Sequence, residues 1–165
     1  MMIKLITLFT VIVSASYGQT KTFKDIVRGF EFTYPDDWIL DTLTSNPMVL
    51  APKEDTPPKY PATFQVLTEE SQETLDKVFK TYVTDWYPHQ VDNFKIIAQG
   101  NRTINDYTFK WIECEYKKAN ITYSNIIYVT VGNRRLYLME GHTSTKKYPT
   151  FKSKFFSMIN SFRLI

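Results

Sequence analysis

From Phe30 to Leu40 the chain reads Phe-Glu-Phe-Thr-Tyr-Pro-Asp-Asp-Trp-Ile-Leu. Apolar and polar side chains alternate, the period of a strand with one buried face, and Pro35-Asp36-Asp37 supplies a turn before Trp38 opens a second short extended piece. Met48 to Ala51 reads as another short strand. The stretch from Pro52 to Pro61 holds four prolines among mostly polar neighbours, and proline blocks both helix continuation and ladder hydrogen bonds, so it reads as a loop. Alternation returns from Ala62 to Leu67.

Between Ser71 and Trp86 the period changes. Leu75, Val78, Phe79, Tyr82, Val83 and Trp86 recur at three-four spacing and form one stripe on an α-helix. Ser71 or Thr74 is placed to cap its start, and Pro88 to stop it. A short apolar run, Phe94 to Ala98, precedes two groups read as turns, Gly100-Asn101-Arg102-Thr103 and Asn105-Asp106. Three strands then form a meander over 107–116, 121–131 and 135–142, and connections this short require antiparallel neighbours. A last helix runs from about Tyr148 to Phe162, with Pro149 in its first turn and Phe151, Phe155, Phe156, Met158, Ile159 and Phe162 on its apolar face. The element order predicts an α+β fold, an antiparallel sheet flanked by helices.

The N-terminus adds an address. Lys4, an apolar run from Leu5 to Val13 and the small-residue stretch ending at Gly18 have the layout of a secretory signal. The run is too short to span a bilayer, which takes roughly 20 residues. Residues 1–18 are therefore expected to be cleaved, leaving one globular domain over 19–165, exported to a bacterial periplasm or medium without a stable membrane anchor. The sole cysteine, Cys114, cannot form an internal disulfide, so the core alone must hold the fold.

Hydrophobic and charged contents of 43% and 22% argue against disorder, and the aromatic share of 16% favours half-buried strands. With 20 basic residues against 17 acidic, no nucleic-acid partner is expected.

The run Phe30 to Trp38 behind a signal segment, the amphipathic middle helix, the Leu136-Tyr137-Leu138 strand and a terminal helix ending Ile159-Asn160-Ser161-Phe162 together resemble the PsbP-like family. The resemblance spans nearly the whole mature chain. It implies an antiparallel sheet sandwiched between helices, a fold shared by a photosystem II extrinsic subunit, a Ran-binding import factor and exported bacterial proteins. It also implies partner binding without catalysis, and it brings no common catalytic motif.

Candidate chemistry is sparse. Glu140 and His142, two apart on a strand, project from one face and are placed to share a proton or hold a metal; the plainer reading is a solvated strand end. His89 follows Pro88 in a turn, and two histidines without fixed spacing to carboxylates make no zinc site. Cys114, flanked by Glu113 and Glu115, is a poor nucleophile and reads as buried filler. No nucleophile elbow, phosphate loop or Cys-x-x-Cys pair is present, so no catalytic residue, metal or cofactor is assigned.

Asn101-Arg102-Thr103 and Asn120-Ile121-Thr122 fit the N-glycosylation pattern, which is chance in a bacterial chain. Tyr60, Trp86, Tyr87 and His89 compose a candidate aromatic binding patch, the alternative being that Trp86 ends the buried helix stripe. The expected function is a non-enzymatic, protein-binding or envelope-assembly accessory. The alternatives are a small-molecule or lipid-binding module, with aromatics lining a cavity between helix and sheet, and a hydrolase using Glu140 and His142.

Overall fold

A computed structural model describes residues 18–43, 46–55 and 61–165. The signal segment, Gly18 excepted, and Tyr60 lie outside the described residues.

Seven strands form the main sheet. These are β3 (Ile39–Asp41), β4 (Met48–Leu50), β5 (Ala62–Glu70), β6 (Asp92–Ile104), β7 (Tyr107–Lys118), β8 (Ile121–Gly132) and β9 (Arg135–Ser144), in the order β3-β4-β5-β9-β8-β7-β6 with every pair antiparallel. The expected meander is β7-β8-β9. Its two turns, Ala119-Asn120 and Asn133-Arg134, and the Asn105-Asp106 turn before it, have positive φ at both positions, the type I′ pattern whose twist matches that of the flanking strands.

A smaller sheet joins β1 (Thr20–Asp25), β2 (Phe30–Pro35) and the two-residue β10 (Arg163–Leu164), with β2 central. The expected strand at Phe30 is β2; β1 and β10 carry too few alternating apolar residues to be read from sequence.

The main sheet buries both faces, in register with the pleat. Phe64, Val66, Phe109, Ile126, Tyr128, Tyr137 and Met139 face β2 and α2 (Tyr148–Ser161), meeting Phe30, Phe32, Phe155, Met158, Ile159 and Phe162. Ile112, Cys114, Ile127, Val129 and Leu136, at odd spacings from these along the same strands, turn to the opposite face against Val78 and Val83.

Two expectations are corrected. Gly100 to Thr103 is strand: β6 continues to Ile104, and only Asn105-Asp106 turns. As the sheet edge, β6 is exposed along most of its length, so its composition mimics a loop. Gly100 makes room for a ring, since a Cβ there would stand 3.2 Å from Nε1 of Trp111.

The middle helix is also not one α-helix. Thr74 caps α1 (Leu75–Phe79), its Oγ1 accepting from the Lys77 amide at 3.3 Å. The chain then widens into a π-helical stretch, Lys80–Trp86, and tightens into a 3₁₀ turn, Tyr87–Gln90, with Pro88 inside that turn. An i→i+5 bond closes the wide stretch, from the Tyr87 amide to the Tyr82 carbonyl. Residues five apart therefore share a side. Val78 and Val83 go into the core, while Tyr82 and Tyr87 turn toward β5 and β9.

Candidate functional site

The helical segment 75–90 rests on β7, β8 and the start of β6, leaving the β5–β9 surface beside it uncovered by helix. That surface is the floor of a groove of about 690 Å³. On the floor, Thr63, Gln65, Leu67 and Glu69 of β5 stand directly opposite His142, Glu140, Leu138 and Leu136 of β9. Met48 extends it on β4, where it pairs with Gln65. Tyr82, Trp86 and Tyr87 form the helical wall, and Tyr116 closes the end near His142.

Period-two alternation explains the floor. Every second residue of β5 and β9 faces the groove, while Phe64, Val66, Tyr137 and Met139 between them anchor the strands in the opposite core. Gly141 separates Glu140 from His142, and its missing side chain admits Phe155 on the far face. The two polar side chains are held in place from behind.

Glu140 sits in a network of neutral donors. Its Oε2 accepts from Gln65 Nε2 at 2.6 Å and its Oε1 from the Tyr87 hydroxyl at 2.9 Å; fully buried Asn125 donates Nδ2 to the same Oε1 and to the Tyr87 oxygen. Burial, then the negative charge of Glu140, pushes the Tyr87 phenol far above its ordinary range. The same two causes in the same order raise Tyr116 to about 12.

Next along β9, His142 Nε2 lies 3.0 Å from the Tyr116 hydroxyl, with the Tyr116 ring parallel to the imidazole and the Tyr123 ring tilted against it. Burial holds His142 below its usual value, opposed by Glu140 and assisted by Lys118. The imidazole is neutral at neutral pH.

At the other end the Tyr82 hydroxyl donates to Glu69, and that bond, more than burial, lifts Tyr82 to about 12.

Of the sequence candidates, Trp86 and Tyr87 line the groove together, Trp86 being 54% exposed rather than closing a buried stripe. His89 is exposed in the 3₁₀ turn and is not among the lining residues. Glu140 and His142 share a face as their spacing predicts, but their hydrogen bonds run to other partners: Gln65, Tyr87 and Asn125 for one, Tyr116 for the other. Sequence reading missed Gln65 and Asn125, which reach Glu140 only through strand register. Cys114 is fully buried, and burial, ahead of Glu140 and Glu113, raises its thiol to about 12. Asn101 lies on β6 and Asn120 in the turn before β8.

Among the described residues no cluster of three His, Cys, Asp or Glu is placed to hold a metal, and no helix is long and apolar enough to cross a membrane.

Among solved structures the chain is similar to cyanobacterial PsbP (CyanoP) from Synechocystis, at 17% identity and a TM-score of 0.67, covering 92% of this chain and 95% of that one. LpqN, involved in cell envelope biogenesis of Mycobacterium tuberculosis, matches at 10% identity and 0.68, over 88% and 90%. The Saccharomyces cerevisiae Ran-binding protein Mog1p matches at 9% and 0.60, over 89% and 96%. At these identities the likeness is one of fold. No curated protein matches the chain. The PsbP family model matches residues 60–164, the stretch that runs from β5 through α2 to β10 and contains most of the groove; the chain belongs to the PsbP family.

Proposed function

We propose that the mature chain, residues 19–165, is a single exported, non-enzymatic binding domain serving as an accessory in a bacterial envelope, with the groove as its binding site. One observation carries this reading: a concave, mostly apolar surface of about 690 Å³ with a few polar groups, Glu140 and His142 at one end and Glu69 at the other, the size and character of a small-ligand site. The exposed Trp86 at its rim supports the same reading, as does the fold shared with LpqN, which is involved in envelope biogenesis. Hydrolysis by Glu140 and His142 finds less support. Their hydrogen bonds go to groups that stabilise one another, and the Cys114 thiol, raised to about 12, is no thiolate at neutral pH.

The test is the uncharged fluorophore N-phenyl-1-naphthylamine, which brightens in apolar surroundings. Its emission should rise with the native protein and lose that rise in Leu67→Trp, which fills the floor. A folded L67W protein that brightens the probe as much as the parent would sink the reading. Export is checked by the intact mass of envelope-fraction protein, expected to begin at Gln19.

A further inference from the structure

The charge of the groove is one-sided. Its described lining includes two carboxylates, Glu69 at the mouth and Glu140 at the inner end, and neither lysine nor arginine. Glu140 is held differently from three other partly buried acids of this protein. Glu113 is paired with Lys152, Glu54 with Lys147 and Asp25 with Arg28, whereas the described donors to Glu140, namely Gln65, Tyr87 and Asn125, are all uncharged. Neutral donors satisfy the oxygens without cancelling the charge. A carboxylate offers about four acceptor positions; three donors leave one, and the field of the unpaired charge acts across a surface of low polarity.

Two further features fit the same occupant. The rings of Tyr87 and Tyr116 meet edge to face at the Glu140 end, centroids 6.1 Å apart, and aromatic faces attract cations. Beyond Glu140 the floor becomes apolar, with Leu138 opposite Leu67 and then Leu136. The nearby cation sensed by the site, Lys118, acts on His142 from the end of β7 and is not in the lining.

We propose that the groove binds a small organic cation with an apolar body, its charged nitrogen against Glu140 beside the Tyr87 and Tyr116 rings and its body along Leu138, Leu67 and Leu136. This rests on the groove being the ligand site. From Glu140 to Leu136 the floor runs four residues, about 13 Å at strand rise, room for an alkyl chain of about ten carbons.

Calorimetric titration with decyltrimethylammonium, 1-decanol and decyl sulfate, each below micelle formation, tests it. The cation should bind about tenfold more tightly than the alcohol, the advantage of one partly buried charge pair, and the sulfate more weakly than either. Glu140→Gln should abolish the cation's advantage over the alcohol. Should that variant fail to fold, the unaltered protein still decides the matter: added salt should weaken the cation selectively, since screening acts on charge and not on apolar contact. Equal binding of all three, or preference for the sulfate, overturns the cation proposal and leaves an apolar ligand site standing. Binding of none of the three overturns both.

Discussion

Phe155 of α2 occupies the space that a side chain at position 141 would need: a Cβ on Gly141 would stand 2.5 Å from Cγ of the ring. Both residues are fully buried in the core opposite the groove. Gly141→Ala should therefore cost about 1–3 kcal/mol, the usual penalty for overpacking, read as a lower urea midpoint. Phe155→Leu in the same chain should recover part of the loss; strictly additive losses would show that the contact is not the cause.

The Tyr87 hydroxyl both donates to Glu140 and accepts from Asn125. Tyr87→Phe leaves the two remaining polar groups short of a partner, at a cost of about 1–2 kcal/mol. Paired with Glu140→Gln in a double-mutant cycle, it should show coupling of about 1 kcal/mol. A coupling of zero would mean that the two residues are neighbours without being partners.

His142 sets a pH dependence. Its pKa in the folded protein lies below the ordinary 6.5, chiefly through burial, with Glu140 opposing and Lys118 assisting. Above about 6.5 the imidazole is neutral whether the chain is folded or not. Below it the unfolded chain takes up a proton before the native one does, so stability falls as pH drops from about 6.5 toward the folded-state value. Urea midpoints at pH 7.5 and 5.5 should differ more in the parent than in His142→Gln. Equal differences would place the titrating group elsewhere.

Cys114 is fully buried, with its thiol raised to about 12. Labelling by an aromatic disulfide reagent at neutral pH should require opening of the fold and become immediate in denaturant. Rapid labelling of the native protein would contradict the packing around β7 and β8.

Legibility in the sequence followed burial. Strands with one face in a core, such as β2 and β9, announce themselves by alternation, and α2 by its aromatic stripe. The edge strand β6 escapes because exposure removes the alternation that marks a strand. The middle helix kept its existence but not its geometry: a three-four stripe implies an α-helix, and nothing in the residue types signals the five-residue step that keeps Val78 and Val83 on one face and leaves Trp86 exposed. The site divided in the same way. Glu140 and His142 are neighbours along one strand and can be paired on paper, whereas Gln65 lies 75 residues from Glu140 and Asn125 lies 15 away, distances bridged only when register is fixed.

That separation has a kinetic meaning. The β7-β8-β9 meander closes through two-residue turns, while the bond from Gln65 to Glu140 closes a loop of 75 residues, and long loops are expected to close after short ones. The groove floor is then among the last parts of the molecule to assemble. An occupant held there should slow unfolding while leaving the refolding rate nearly unchanged, a split that stopped-flow measurements with and without ligand would resolve.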